Sequence, residues 1–261
     1  MILLICMLFK HFCYNRVMQR HQYKLLGYNI DLFNANEALD YVNFLIDASF
    51  SSHIVTINPE IIEFANKHEN FAKILNEAEL VIPDGVGIKI GLKINGINIQ
   101  RITGIGFART LIEQAAKNNI PIALVGAKSA VIEKVQINLK KEFPELNIVY
   151  AHDGYFKENS ELYEDLKNSA PKILFVAMGA PKQEEFIYEL KSILPSTVMI
   201  GIGGSFDVWS GEVQRAPEIW QKLGLEWLYR TIKQPERFKR IFPTLPIFVY
   251  NVIKEKLTKK G

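Results

Sequence analysis

The sequence predicts an α/β chain with a Rossmann-like, mostly parallel sheet flanked by helices and a helical C-terminal appendage. Three observations carry this. Short apolar runs rich in Val and Ile, such as Ile173–Met178 and Thr197–Gly203, read as strands buried on both faces. Stretches of helical spacing separate these runs, so the connections are right-handed crossovers between parallel strands. Past Pro217 the pattern gives way to aromatic and basic residues interrupted by proline. We therefore divide the chain into an N-terminal extension (1–22), an α/β body (23–216) and a basic, aromatic appendage (217–261).

The elements follow in order. Tyr23–Asp31 reads as a first strand or hairpin arm, and Ala35–Ser49 has helical spacing through Ala38, Leu39, Val42, Leu45 and Ile46. His53–Asn58 is a strand, and Pro59 suits the first turn of the next helix. Glu60–Lys67 and Asn70–Ala78 form a helical pair. Leu80–Pro83 leads into Asp84-Gly85, Val86–Leu92 is helical, and Asn95–Ile99 is a loop. Phe107–Lys117 is a helix, Ile120–Gly126 a strand, Lys128–Phe143 a helix and Asn147–Ala151 a strand. After the loop His152-Asp153-Gly154-Tyr155-Phe156 comes a helix at Glu161–Ser169, then the two strands already named. Ile219–Lys233 is helical until Gln234-Pro235. In 237–257, Pro243 and Pro246 predict two or three short helices rather than one.

Composition is that of an ordinary globular protein, 48% hydrophobic and 23% charged. The net charge of +3 is unevenly placed. Residues 215–261 hold eleven Lys/Arg against four Asp/Glu, so the tail carries +7 and the rest −4. Such a tail suits an anionic surface, whether nucleic acid, lipid or an acidic protein. Cys6 and Cys13 form no disulfide framework or zinc spacing, which fits a reducing cytosol. The apolar start Met1–Phe9 falls far short of the roughly 20 residues that span a bilayer and lacks signal-peptide features. Residues 1–17 read either as a membrane-touching extension or as a misassigned start ahead of Met18.

Several residues sit where an α/β sheet places its ligand crevice, beyond the carboxyl ends of the strands. Thr56 and Asn58 lie two apart and point to one side of a strand end; they bind a ligand or only cap the next helix. Asp84 leaves a strand, where it serves as a turn former or as a carboxylate base. Arg101, ahead of Gly104 and a helix, is either a phosphate clamp or a plain surface arginine. Gly179, Gly203 and Gly204 let the backbone approach a ligand and turn N–H groups toward its anions. Asp207 follows in the same loop. No Asp-x-Asp metal motif and no second His at metal spacing is found.

Together the motifs resemble one family. Val176-Ala177-Met178-Gly179-Ala180-Pro181-Lys182-Gln183-Glu184 and Gly201-Ile202-Gly203-Gly204-Ser205-Phe206-Asp207 are its strongest signatures. Also matching are the Arg-Ala-Pro at 215–217, Leu225-Glu226-Trp227-Leu228-Tyr229-Arg230 and Gln234-Pro235-Glu236-Arg237. With Thr-x-Asn, Pro-Asp-Gly, Arg-x-x-Gly and His-Asp-Gly-Tyr-Phe in family order, the chain from about 27 to 240 resembles the WecG/TagA/CpsF glycosyltransferases (glycosyltransferase family 26). One departure is Gly106, where members often have Asp.

The resemblance implies an inverting, metal-independent enzyme without cofactor. It would move N-acetylmannosamine, or a related N-acetylhexosamine or uronic acid, from a UDP-sugar to polyprenyl-diphosphate-linked N-acetylglucosamine. Its product would feed teichoic acid or capsular polysaccharide, and no nucleic acid is expected as a partner. Asp84 would be the general base; Thr56, Asn58, Arg101 and Gln183 would bind substrate. Arg230, Arg237 and Arg240 would close over the site and touch the inner face of the cell membrane. On this reading, truncation after about residue 216 leaves a soluble but nearly inactive body. The alternative within the same frame is a non-catalytic component of a polysaccharide assembly complex. A dinucleotide-dependent oxidoreductase is disfavoured, because Phe206 stands where G-x-G-x-x-G needs its third glycine.

Overall fold

A computed structural model describes residues 20–156, 160–233 and 238–259. The N-terminal hairpin β1 (Gln22–Leu25) and β2 (Tyr28–Asp31) turns on Leu26-Gly27, both with positive φ. Residues 1–19 of the expected extension lie outside the described residues. Its last residues join the body: the Arg20 guanidinium donates to both Asp31 carboxylate oxygens at 2.5 and 2.8 Å. The same carboxylate accepts the Val81 N–H at 2.8 Å, which ties the hairpin to the sheet.

The body follows as α1 (Ala35–Ala48), β3 (Ser52–Ile57), α2 (Pro59–Ala65), α3 (Glu69–Asn76), β4 (Leu80–Pro83) and α4 (Gly85–Ile94). Then come α5 (Gly104–Lys117), β5 (Ile122–Gly126), α6 (Ser129–Glu142), β6 (Ile148–His152) and α7 (Ser160–Ser169). The run closes with β7 (Ile173–Ala177), α8 (Lys182–Leu190), β8 (Val198–Gly201) and the single turn and a half of α9 (Ser205–Trp209). The main sheet has the order β4-β3-β8-β7-β5-β6, all neighbours parallel. Successive strand residues face opposite layers, as the two-residue period demands. Ile54, Leu124 and Phe175 join α1, α5 and α6 in one core. On the other face Val55 and Ile57 meet α2, α3 and α4, while Val125 and Val176 meet α7 and α8. Helices on both faces explain the unbroken apolar runs. The chain inserts β8 between β3 and β7, so the sequence order reverses near the sheet centre, where an open α/β sheet binds ligands.

One strand exit depends on glycine. Gly126 has φ +138°, and a Cβ there would lie 2.4 Å from the Ala177 carbonyl oxygen on the neighbouring strand. Both conformation and space exclude a side chain. Gly126→Ala should cost more than ~2 kcal/mol, read as a lowered urea midpoint. A neutral result would mean that the β5–β7 exits can spread apart.

Beyond the body lie α10 (Glu218–Lys222), α11 (Glu226–Lys233) and α12 (Phe238–Thr258). Helix α12 continues through Pro243 and Pro246, against the expectation of two or three short helices. Both prolines are exposed, so the carbonyls they leave unbonded, one turn back, can turn to water. Tertiary packing supplies the rest. Phe248 and Val252 are fully buried against Leu25, Ile88 and Leu92. Asn251 donates to the Glu63 carboxylate at 3.0 Å, and Glu255 accepts the Leu26 N–H at 3.1 Å.

Candidate active site

A cavity of about 1070 Å³ opens at the carboxyl ends of the strands. That is large for a small-molecule site. Its walls include Thr56, Asn58, Asp84, Arg101, Gly179, Gln183, Gly203, Gly204 and Asp207. These nine were singled out from the sequence, and the fold gathers them from β3, the exits of β3, β4, β7 and β8, the first turns of α8 and α9, and the loop that precedes α5.

Asp84 follows β4 and stands at the N-terminal cap of α4, but its side chain makes no cap bond to that helix. Instead its Oδ1 accepts the Gly104 N–H at 3.2 Å, while a parallel bridge pairs Asp84 with Ile102. The half-buried carboxylate is thus held at the cavity edge by the start of α5. Thr56 is 5% exposed and donates to the Gly201 carbonyl at 3.0 Å. Asn58 caps α2, accepting the Ile61 N–H at 3.1 Å. The capping role anticipated for Asn58 is present, and its residue also borders the cavity.

Arg101 turns toward the C-terminal segment rather than lying open on the surface. Its Nη1 donates to the Gln221 carbonyl at 3.0 Å, and its Nη2 lies 3.6 Å from Glu226 Oε2. Arg215 Nε approaches the other Glu226 oxygen at 3.9 Å. The α10–α11 elbow therefore wraps the arginine that precedes the Asp84-holding loop. Gly224, Glu226, Trp227, Thr244 and Leu245 complete the cavity from this side. Arg237 lies outside the described residues, as do the side chains of Arg230 in α11 and Arg240 in α12.

Gln183 is 3% exposed and joins the two glycine loops. Its Oε1 accepts the Gly179 N–H at 3.2 Å and the Gly203 N–H at 2.9 Å. Those two amides, expected to face an anion, are instead engaged by this side chain. Gln183 Nε2 in turn donates to Glu184 Oε1 at 2.8 Å. Among the described residues, the cations that border the cavity are Arg101, Lys128, Lys182 and Lys67. Lys128 and Lys182 were not picked out from the sequence, although each follows a strand-exit glycine within three residues. Glu226 was missed as a site residue because an acidic group at a helix start reads as a dipole complement.

Burial pushes the Glu184 carboxyl up to about 7, because a charge there would lack water. Its folded pKa exceeds the unfolded one, so folding takes up a proton and stability falls as pH rises from about 4.5 to 7. The loss is on the order of 3 kcal/mol above pH 7. His53 opposes this: burial and Lys191 depress its imidazole to about 3, so stability is lost as pH falls below about 6.5. The two trends partly cancel in the wild type. Comparing urea midpoints of the wild type and Glu184→Gln isolates one of them. The variant's advantage should grow with pH up to about 7 and then level; a flat difference would show an unshifted carboxyl.

The profile of the family described as Glycosyl transferase WecG/TagA/CpsF family matches residues 23–261. The chain is similar to an N-acetylglucosaminyldiphosphoundecaprenol N-acetyl-beta-D-mannosaminyltransferase of Bacillus subtilis (strain 168). They are 36% identical over 237 residues, spanning 89% of this chain and 92% of the relative. Proteins of the same name from Bacillus spizizenii and Staphylococcus aureus (strain MW2) are 34% and 33% identical. These alignments cover 86% and 87% of this chain, and 89% and 86% of the respective relatives.

Proposed function

The chain belongs to the WecG/TagA/CpsF family of glycosyltransferases, and we propose that it transfers N-acetylmannosamine from a UDP-sugar to polyprenyl-diphosphate-linked N-acetylglucosamine. The donor and acceptor are those the relatives' name implies. What carries the reading is one observation: Asp84, the Gly179–Gln183 loop and the Gly203–Asp207 loop border a single cavity at the switch point of the sheet.

In the proposed reaction the Asp84 carboxylate takes the proton from the acceptor hydroxyl as its oxygen attacks the anomeric carbon. The carbon–oxygen bond to UDP breaks on the opposite face, so the configuration inverts. The departing diphosphate meets Arg101, Lys128 and Lys182, cations that stabilise the charge developing on it. Arg230, Arg237 and Arg240 would add to this field from the appendage. Thr56 and Asn58 set the wall beside Asp84, and Asp207, in α9, borders the part of the cavity left for the donor.

The lipid-linked acceptor places the enzyme on the inner face of the cell membrane in this proposal. No helix among the described residues is long and apolar enough to cross a bilayer. Past Pro217, however, Ile219, Leu223, Ile232, Ile247, Tyr250, Ile253 and Leu257 are exposed, on the segment that also carries the basic excess. Apolar and cationic side chains together suit an anionic lipid surface.

The test is direct. Purified protein is given a panel of UDP-sugars with a short-chain lipid-diphosphate N-acetylglucosamine, with and without chelator, and UDP release is followed. Acceptor-dependent release with UDP-N-acetylmannosamine supports the proposal. Release that ignores the acceptor, or no release with any donor, overturns it.

A further inference from the structure

Behind the cavity wall lies a carboxyl group that the transfer chemistry does not use. Glu184 is fully buried, one of its oxygens accepts from Gln183 Nε2, and Oε2 has no hydrogen-bond partner among the described residues. A lone acid in such surroundings is costly, and an apolar side chain would suit the space better. On its own helix α8, Phe186, Ile187 and Leu190 pack into the apolar layer below.

We propose that Glu184 is a positioning residue: it fixes which way the Gln183 amide faces, and Gln183 then holds the two loops that wall the nucleotide-sugar cavity. A glutamine amide has nearly the same shape in either orientation, so only its neighbours decide which end carries the oxygen. From the cavity side two backbone donors, Gly179 N–H and Gly203 N–H, require the oxygen. From behind, an acceptor requires the NH₂ group, and Glu184 is that acceptor. If it is removed, the buried NH₂ loses its partner and the amide turns to find another. Both glycine amides are then released, and the loops after β7 and β8 lose the bridge between them.

The surrounding chain is shaped for this pair. A Cβ on Gly201 would lie 2.5 Å from Gln183 Nε2 and 3.1 Å from Glu184 Oε1, so β8 leaves out a side chain where the two meet. Thr56, on β3, donates to the carbonyl of that same glycine. The brace thus links the exits of β3, β7 and β8. The inference concerns how the cavity is held in shape, and its functional readout rests on the proposed UDP-sugar site.

Three variants test it: E184L, E184Q and Q183L, with the double variant E184L/Q183L. Hydrogen exchange at the Gly179 and Gly203 amides is followed by NMR, UDP affinity by calorimetric titration, and melting temperature at pH 7.5. E184L should melt no lower than wild type, yet exchange both amides at least tenfold faster and bind UDP at least tenfold more weakly. E184Q keeps a carbonyl acceptor and should restore most of the protection. The double variant should bind no more weakly than Q183L alone. Unchanged protection in E184L, or additive losses in the double variant, would overturn the brace. Should E184L fail to fold, E184M carries the same readings, and a collapse of both would show a purely structural acid and sink the proposal. If wild type binds no UDP while protection still depends on Glu184, the brace stands and the reading of the site fails.

Discussion

Asp84→Asn is expected to reduce sugar transfer by 10²–10⁴-fold while leaving the fold and UDP affinity near those of wild type. The range is what a positioned general base contributes, about 3–5 kcal/mol of barrier. Asparagine keeps the shape of the side chain and an oxygen for the Gly104 N–H that holds Asp84 Oδ1 at 3.2 Å. It cannot take up a proton from the acceptor hydroxyl. Stability should change little, because the side chain makes no cap bond to the helix it precedes. The loss should therefore fall on kcat, with the donor's binding spared. Single-turnover UDP release at saturating donor and acceptor, beside a thermal melt, separates the two. Undiminished turnover in a folded variant would remove Asp84 from the role. A variant that loses UDP binding instead would make it a donor-site residue.

Phe248→Ala should destabilise the chain by ~3–5 kcal/mol, the usual cost of emptying a buried aromatic site. For a chain of this size that is a fall of roughly 10 °C in melting temperature. Phe248 is fully buried, and its ring lies so close to helix α4 that a Cβ on Gly91 would sit 3.0 Å from Phe248 Cζ. The result bears on the truncation considered from the sequence alone. Cutting after about residue 216 was expected to leave a soluble, nearly inactive body. With Phe248 and Val252 in place, the cut strips cover from Leu25, Ile88 and Leu92, and the truncated chain should aggregate rather than stay soluble. A loss under 1 kcal/mol for Phe248→Ala, with a well-behaved truncated body, would show that α12 is not docked in solution.

Much of this was legible in the residues. The apolar runs at 53–57, 122–125, 173–177 and 198–200 each form a central strand, since burial on both faces leaves an unbroken signature. Asp84-Gly85 and the glycine loops were placed correctly because a strand exit is a local event, marked by a change of composition within a few residues. Pro243 and Pro246 misled, because proline reports only a missing donor and a local clash. They say nothing of the apolar contacts that keep α12 continuous past them.

By itself, then, the sequence determined the alternation of strands and helices, the identity of the strand-exit residues and the family to which the chain belongs. These rest on short-range periodicity and on residue types in order. Only the tertiary structure decided that β8 enters between β3 and β7, that Gln183 spends its amide on two glycine N–H groups, and that Glu226 stands between Arg101 and Arg215. Apart from the Gln183–Gly179 and Glu226–Arg215 contacts, these join groups 20 to more than a hundred residues apart. Hydrogen bonds and ion pairs form wherever packing brings donor and acceptor together, and no spacing along the chain encodes that meeting.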